Sequence, residues 1–315
     1  MPLDPYLQAV RDQRLREGVR PLYEMTVAEA READLASIKA DRGEQVPVGE
    51  VRELTVAGAE GQLDARLYRP DGASGPLPVV LYFYGGGWTL GNLETCDGIC
   101  RRLCAEAGVL VASVAYRLAP EHPFPAAPYD CYSALRWLAD HASEFGGDPD
   151  RLAVAGDSAG GNLAAAVTLL ARDHGGPSVA CQVLVYPNVD YEADTPSSRE
   201  NTDPCFFNRR SVAWYWQHYL ASPADGASPL ASPLRASDHS GLPPALVVTA
   251  EFDPLRDEAE QYARKLREAG VPVESTRYEG VTHGFFTMTG PLAAARKATS
   301  QVADYLRATL LSPPI

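Results

Sequence analysis

The sequence predicts an α/β fold, in which helices cover both faces of a largely parallel central sheet. The first observation is that short apolar segments alternate with helical segments from about residue 110 onward. This alternation is typical of parallel sheets that are buried on both faces. The second observation is a glycine-rich turn at residues 156–161, between an apolar strand and a small-residue helix. In such open sheets, the loops beyond the carboxyl ends of the strands converge on one site.

The first part of the chain predicts two helices followed by three strands. Thr26 and Glu29 have the spacing of a capping box, so the second helix is expected to begin near Thr26. The strand-like segments are Val51–Val56, Leu63–Tyr68 and Val79–Tyr84. Because short turns join these first strands, we expect them to pair antiparallel at the edge of the sheet.

The remaining elements follow in regular order, with one interruption. The predicted strands are Leu110–Ala115, Leu152–Ala155, Gln182–Tyr186, Ala245–Ala250 and Val273–Tyr278. The predicted helices are Tyr129–Ala139, Asn162–Arg172, Arg256–Ala269 and Ala293–Leu310. Residues 188–242 break the alternation, since they are rich in Pro, Asp and Ser and hold one aromatic helical piece at 211–220. A long insertion after a central strand is typical of a lid or specificity element.

The charge and composition of the chain bear on which partners, location and metal sites are expected. The net charge of -13 disfavours nucleic acid and anionic membrane surfaces as partners. No apolar stretch approaches the ~20 residues of a membrane span, and residues 1–5 do not resemble a secretory signal, so a cytoplasmic location is expected. Cys96, Cys100 and Cys104 would line one helix face. That spacing favours helix packing over a metal site, whose ligands usually come from several elements.

The turn at residues 156–161 carries the first chemical signal. Its sequence, Gly-Asp-Ser-Ala-Gly-Gly, places Ser158 at the apex, with a glycine two residues before it and another two residues after it. This is the pattern of a nucleophile elbow, in which a strained turn lifts the serine hydroxyl above the sheet. Such a serine needs an acid and then a histidine downstream, and an oxyanion-binding loop upstream.

Suitable acid and base residues follow the last two predicted strands. Asp253 lies just past the strand that ends at residue 250, and His283 lies past the next strand. A histidine can take the serine proton near neutral pH, and the aspartate would hold the imidazole and stabilise its charged form. Glu251 and Asp257 flank Asp253 and could compete for His283, but the strand-end position favours Asp253.

The upstream requirement is met by three consecutive glycines after the third predicted strand. Gly85, Gly86 and Gly87 allow the backbone to approach a ligand and to direct amide hydrogens toward it. Together with the amide of Ala159, those hydrogens could bind the oxyanion of a tetrahedral intermediate.

These motifs make the chain resemble the bacterial hormone-sensitive-lipase family (family IV) of carboxylesterases. The resemblance runs from about Val79 to Phe286 and includes the elbow, the 116–127 stretch YRLAPEHPFPAA, the 253–258 segment DPLRDE, and His283-Gly284-Phe285. It implies the α/β-hydrolase fold, with a mostly parallel eight-stranded sheet, flanking helices and a helical cap. It also implies hydrolysis of small carboxylic esters, often with short to medium acyl chains, without a cofactor or metal.

The resemblance also implies site residues and a division of the chain. Ser158, Asp253 and His283 would form the triad, and Gly86, Gly87 and Ala159 would supply the oxyanion amides. Residues 1–45 and the insertion 188–242 would form the cap, with 46–187 and 243–315 as the catalytic domain. Family members are often monomers or dimers, so we expect a monomer or homodimer.

One position departs from the family pattern. The family usually has histidine before the three glycines, where this chain has Tyr84. Tyrosine keeps a ring and a hydrogen-bonding tip, so it could brace the loop as the histidine does. Alternatively, Tyr84 could reshape the pocket for an unusual acyl or alcohol group. Elsewhere, Arg117 and Glu121 are expected to pair with each other and brace the 116–127 turn.

Candidate residues for the substrate pocket are mostly aromatic, because esterase pockets are mainly apolar. They are Tyr84, Trp88, Asn188, Phe206, Phe207, Trp214 and Phe285. Two alternatives to a hydrolase stay open at the level of sequence. An acyltransferase or cyclising enzyme would use the same triad with another acceptor, and a small-molecule-binding relative could share the fold without catalysis.

Overall fold

The computed structural model describes residues 2–311, which form one eight-stranded sheet with helices on both faces. The strands are β1 Glu50–Gly58, β2 Gly61–Arg69, β3 Leu77–Phe83, β4 Leu110–Val114, β5 Gly147–Asp157, β6 Cys181–Val185, β7 Ala245–Phe252 and β8 Val273–Thr282. The α-helices are α1 Pro5–Glu17, α2 Val27–Asp41, α3 Leu93–Ala107, α4 Ala126–His141, α5 Ala159–Asp173, α6 Pro196–Glu200, α7 Arg209–Tyr219, α8 Arg256–Glu268 and α9 Ala293–Leu311. Every predicted strand and helix is therefore present, with bounds that differ by a few residues.

The strand order across the sheet is β1-β2-β4-β3-β5-β6-β7-β8. The strands β1 and β2 pair antiparallel with each other, and β2 pairs antiparallel with β4. All remaining pairs are parallel. The predicted fold class is thus confirmed. The antiparallel edge is confirmed for β1 and β2, but the prediction is wrong for the third strand, because β3 lies inside the sheet and pairs parallel with β4 and β5. The order also puts β5 in the middle of the sheet, so the elbow at its carboxyl end lies over the centre of the molecule.

The central strands are apolar because helices cover both of their faces. Every residue of β3, β4 and β6 is buried. The predicted strand at 152–155 is longer in the structure, since β5 begins at Gly147 and includes the polar residues Asp148 and Asp150. Edge strand β1 is mostly exposed, and Val56 is its buried residue.

The N-terminal helices begin where the sequence predicts. The Thr26 side chain accepts from the Glu29 amide, and the Glu29 side chain accepts from the Thr26 amide, so the capping box is complete. The N-terminal segment also contacts the 188–242 insertion. Arg11 pairs with Asp203 at 2.5 Å, and the guanidinium of Arg210 in α7 lies 4.0 Å from the ring centre of Tyr23.

The sequence predicts neither a membrane-spanning helix nor a metal site. Within residues 2–311, no helix combines the length and apolar character that crossing a membrane requires. The cysteines 96, 100 and 104 lie on α3 and are all buried, with Cys96 Sγ 3.2 Å from Ser113 Oγ. Across the same described range, no group of three or more His, Cys, Asp or Glu side chains is arranged to hold a metal ion.

Candidate active site

The turn between β5 and α5 holds Ser158 in a strained backbone conformation. Its φ of 55° and ψ of -119° are rarely adopted by a residue with a side chain, and such strain is typical of functional turns. Glycines on either side make the turn possible. A Cβ at Gly156 would lie 2.3 Å from the carbonyl oxygen of Gly160, and a Cβ at Gly160 would lie 1.9 Å from that of Phe83. The strand and helix can therefore pass this closely only with glycine at both positions.

The side chains of Ser158, His283 and Asp253 form one continuous hydrogen-bonded chain. His283 Nε2 lies 2.9 Å from Ser158 Oγ, and His283 Nδ1 lies 2.7 Å from Asp253 Oδ2. The other oxygen of Asp253 accepts from the Leu255 amide at 2.8 Å. Asp253 is fully buried, so this pair of contacts fixes its orientation. The structure thus brings together three residues that the sequence separates by up to 125 positions.

Aromatic rings hold the imidazole between them. Phe207 stacks on His283 with ring centres 4.1 Å apart and an interplanar angle of 23°. Tyr186 contacts the same ring at 4.5 Å, and Phe285 packs behind Tyr186 at 5.9 Å. These contacts restrict the rotation of His283 and keep bulk water from its faces.

The two acidic residues that flank Asp253 make other contacts. Glu251 accepts from the Gly280 amide at 2.7 Å. Asp257 accepts from the Ser197 amide at 2.8 Å and pairs with Arg256 at 2.9 Å. Of these three acidic residues, Asp253 therefore contacts His283, as its position at the strand end suggests.

The glycine loop after β3 adopts conformations that favour glycine. Gly86 has φ of 109° and Gly87 has φ of 58°. A Cβ at Gly87 would lie 1.9 Å from Cδ1 of Tyr215, which packs over the loop from α7. The loop borders the same cavity as Ser158, and Ala159, the first residue of α5, follows Ser158 directly. This arrangement is suited to direct backbone amides at a developing oxyanion.

Asp157 braces this loop from below. Its Oδ1 accepts from the Tyr82 hydroxyl at 2.7 Å and from the Gly85 amide at 3.1 Å. Burial raises the pKa of Asp157, although the two donors and the nearby His283 oppose that rise. The carboxyl group beside the nucleophile thus fixes the position of the glycine loop.

Tyr84 contacts both the 116–127 stretch and the cavity. Its ring stacks on Tyr116 at 4.5 Å, and the Tyr116 hydroxyl donates to the Tyr84 carbonyl at 2.8 Å. Tyr84 also borders the cavity above Ser158. Burial raises the pKa of its phenol well above the ordinary value, so the group is a neutral hydroxyl. The ring is therefore placed where it could brace the loop, and its effect on substrate preference stays a prediction.

A cavity of about 320 Å³ lies above Ser158 and His283. Its walls come from α1, α2 and the segment between them, from the glycine loop, and from the insertion. Three of the seven predicted pocket residues border it, namely Tyr84, Phe206 and Phe207.

Trp88, Asn188, Trp214 and Phe285 do not border this cavity, so those predictions are wrong. Trp88 is fully buried and stacks on Tyr219 with ring centres 4.0 Å apart. Trp214 turns toward His218, at 4.2 Å, and Phe285 lies in the core behind Tyr186. Asn188 is buried beneath the elbow, where its carbonyl accepts from Asn162 at 2.8 Å. All four side chains are buried, and Trp214 lies in an apolar cluster with Ala30 of α2 and Leu90.

Several cavity residues gave no signal in the sequence. They include Leu7, Met25, Asp34, Ile38, Leu90, Tyr215 and Met288. Most belong to the N-terminal helices or to α7, whose orientation over the sheet depends on long-range contacts. Asp34 is the unexpected member, because it places a carboxyl group in the wall. Burial, and then the charge of Asp157, raise its pKa to about 7.

The predicted pairing of Arg117 with Glu121 is also wrong. Arg117 pairs with the buried Asp130 at 2.8 Å and with Glu60 at 2.7 Å. Glu121 instead receives two hydrogen bonds from Arg31 of α2, at 2.8 and 2.7 Å. Arg31 also donates to the carbonyls of residues 89 and 119. The acidic residue of the 116–127 stretch therefore attaches the second N-terminal helix to the sheet domain.

Comparisons with known proteins agree with this architecture. A family described as "alpha/beta hydrolase fold" matches residues 80–287. A carboxylic ester hydrolase of Mycobacterium tuberculosis, LipN, is 43% identical and is aligned over 98% of this chain and 83% of its own length. An arylesterase of Saccharolobus solfataricus is 38% identical, over 98% of this chain and 99% of its own. The solved structure of a hyperthermophilic esterase from Pyrobaculum calidifontis superposes with a TM-score of 0.93 at 43% identity, covering 99% of this chain and 100% of that one.

Proposed function

The chain belongs to the α/β-hydrolase family, among carboxylesterases of the hormone-sensitive-lipase type. We propose that it hydrolyses short- to medium-chain carboxylic esters through an acyl-enzyme on Ser158. The observation that carries the proposal is the hydrogen-bonded chain from Ser158 through His283 to Asp253. It lies at the base of a cavity that is large enough for a small ester.

The acylation step follows from the positions of these atoms. His283 Nε2 takes the proton as Ser158 Oγ attacks the ester carbonyl, and Asp253 stabilises the imidazolium that forms. The carbonyl oxygen gains negative charge and receives hydrogen bonds from the amides of Gly86, Gly87 and Ala159. Loss of one such donor typically raises the barrier by ~2.7–4 kcal/mol. The carbonyl then re-forms, and the C–O bond to the alcohol breaks as His283 returns the proton to the leaving oxygen.

The deacylation step repeats the same chemistry with water. A water molecule gives a proton to His283 Nε2 and adds its oxygen to the acyl carbon. The same three amides hold the second tetrahedral intermediate. Collapse releases the carboxylic acid and returns the proton from His283 to Ser158 Oγ, so that the enzyme is regenerated.

The cavity supports a preference for small esters with apolar or aromatic groups. Its volume of about 320 Å³ is near the lower end of the range for ligand pockets. Phe206, Phe207, Tyr84 and Tyr215 provide aromatic surface on several sides. One relative is named an arylesterase, which is consistent with a pocket that accepts aromatic groups.

The cap is the second part of the proposal. We propose that residues 1–45 and 188–242 form a cap over the catalytic domain, which consists of 46–187 and 243–315, where residue 1 and residues 312–315 lie outside the described residues. Three contacts support the pairing of the two cap segments. Arg11 pairs with Asp203, Arg14 donates to the Cys205 carbonyl at 2.6 Å, and Arg210 lies over Tyr23. The Arg31–Glu121 contact attaches the cap to the domain below.

A cytoplasmic location and a monomeric or homodimeric state stay predictions. Cell fractionation of the source organism tests the location. Light scattering on the purified protein tests the oligomeric state.

The experiment that tests the reaction uses p-nitrophenyl esters of increasing acyl length. We expect hydrolysis by the wild-type protein that peaks at short to medium chains and is lost in Ser158→Ala. Ser178→Ala, at an exposed serine, is the matched control and should keep full activity. Addition of a short alcohol then shows how much acyl group passes to an acceptor other than water. Equal activity in Ser158→Ala and the wild type would contradict the proposed nucleophile.

A further inference from the structure

Asp34 places a carboxyl group in the wall of the substrate cavity. It lies in α2, four residues after Ala30, so the two side chains share one face of the helix. Ala30 is buried against Leu90, Trp214 and Tyr215. Asp34 therefore points from the cap toward the cavity, and it borders the same space as Ser158.

Tyr215 connects this position to the reaction centre. Both side chains border the same cavity, and the charge of Asp34, after burial, contributes to the raised pKa of the Tyr215 phenol. The Tyr215 ring in turn packs on Gly87 of the glycine loop. An ester bound at Ser158 would thus have one of its groups near Asp34.

Asp34 differs from the other charged groups of the cavity because it has no hydrogen-bond or ion-pair partner among residues 2–311. Arg14 donates to the Cys205 carbonyl, and Arg20 pairs with Glu29 at 2.7 Å. Asp41 accepts from the Tyr6 hydroxyl at 2.7 Å. The ionisable groups that border the cavity with Asp34 are Arg14, Arg20, Asp41, Tyr82, Tyr84, Cys96, Asp157, Tyr186, Cys205, Tyr215 and His283.

A carboxylate in such a site costs free energy unless it gains a partner, because burial penalises its charged form. This penalty, together with the charge of Asp157, accounts for the rise of the Asp34 pKa to about 7. A positively charged ligand group would remove the penalty. The aromatic rings of Phe207 and Tyr215 border the same cavity, and an aromatic ring attracts a cation that lies over its free face.

We infer that Asp34 forms a subsite for a cationic substituent, such as a quaternary or protonated amine, on the acyl or alcohol part of the ester. The inference rests on the proposed esterase function and extends it to a substrate class. Asp34 does not touch the reacting atoms, so it acts on specificity and leaves the chemistry of the triad unchanged.

Two pairs of isosteric esters test the subsite. Butyrylcholine and the butyrate of dimethylbutanol differ by one charged nitrogen in place of carbon, on the alcohol side. The p-nitrophenyl esters of trimethylammoniobutyrate and dimethylhexanoate differ in the same way on the acyl side. The quantity measured is the ratio of kcat/KM for the cationic ester to that for its neutral isostere. Because both esters of a pair use the same triad, any pH dependence of the triad cancels in this ratio.

In at least one pair, we expect Asp34→Asn to lower the ratio about tenfold at pH ~8, which corresponds to about 1.4 kcal/mol. In the wild type the ratio should rise as pH increases from ~6 to ~8, because Asp34 gains its charge in that range. Asp34→Asn should remove this rise. Glu32→Gln, at an exposed position on the same helix, is the charge-matched control and should change neither result. Equal ratios in the wild type and Asp34→Asn for both pairs would overturn the inference.

A binding measurement separates this inference from the proposed function. Calorimetry in the Ser158→Ala background compares the affinity for each cationic ester with that for its isostere, with and without Asp34→Asn. A preference for the cation that depends on Asp34 supports the subsite even if the wild type hydrolyses none of the esters, in which case the esterase proposal alone fails. If the cation is not preferred in binding, and the neutral esters are hydrolysed, the subsite alone is refuted. Thermal unfolding of Asp34→Asn confirms that the variant is folded.

Discussion

Gly87→Ala tests whether the glycine loop must keep its position for catalysis. The new Cβ would lie 1.9 Å from Cδ1 of Tyr215, 2.2 Å from Cγ and 2.4 Å from Cε1. Carbon atoms in ordinary contact are ~3.5–4.0 Å apart, so one of the two must move by about 1.6 Å or more. We expect the loop to move, because the Tyr215 ring is itself buried in a cluster with Leu90 and Trp214. Amide donors act on an oxyanion at ~2.7–3.1 Å, and a displacement of this size removes at least one of them.

We expect Gly87→Ala to change both kcat and the free energy of unfolding. Loss of one oxyanion donor lowers kcat by a factor of ~100–1,000. The positive φ of 58° adds a destabilisation of ~1–2 kcal/mol for a residue with a side chain. The assay is steady-state hydrolysis of a short p-nitrophenyl ester, combined with urea unfolding to separate lost activity from lost structure.

Gly108→Ala is the matched control for the backbone effect. Gly108 ends α3 with φ of 71°, and a Cβ there would meet no described atom within 4 Å. This variant should show the same destabilisation with unchanged kcat. A second comparison uses a Tyr215→Ala background, where the obstructing ring is absent and Gly87→Ala should lose most of its kinetic effect. If Gly87→Ala keeps kcat within about twofold of the wild type, the proposed role of this loop is wrong.

Two further predictions follow from the acidic residues of the β7–α8 region. Asp253→Asn should lower kcat by a factor of ~10,000, as in other triads where the imidazole loses its orienting carboxylate, whereas Asp257→Asn should stay within a few-fold of the wild type in the same assay. The reverse order of effects would contradict the assignment of Asp253. Burial raises the pKa of Glu258 well above its ordinary value. The folded protein therefore keeps a proton that the unfolded chain releases above pH ~4.3, and stability from this group is lost as pH rises. Glu258→Gln retains an oxygen that can accept from the Val189 amide. Its unfolding free energy relative to the wild type should thus increase between pH ~5 and ~8, and urea titrations that give a constant difference would refute the explanation.

The catalytic elements could be recognised from sequence because each one is encoded locally. The turn around Ser158 requires glycine at fixed positions, whatever the rest of the fold does. Asp253 and His283 each follow an apolar strand directly, and parallel strands bring their carboxyl ends to the same edge of the sheet. Order along the chain was therefore enough to predict which residues meet. The cap residues have no comparable constraint, because a helix periodicity shows which residues share a face but not what that face contacts.

The sequence by itself determined the sheet, the order of nucleophile, acid and base, and the glycine loop, since strand patterns and turn geometry depend on neighbouring residues. Only the tertiary structure decided which side chains border the cavity. Trp88 and Trp214 have the same apolar character as Phe207, yet Trp88 packs on Tyr219 and Trp214 is buried in a cluster with Ala30 and Leu90, while Phe207 reaches His283. The placement of Asp34 in the cavity wall likewise depends on how α2 rests on the domain. Such choices arise from contacts between segments far apart in the chain, so no local pattern records them.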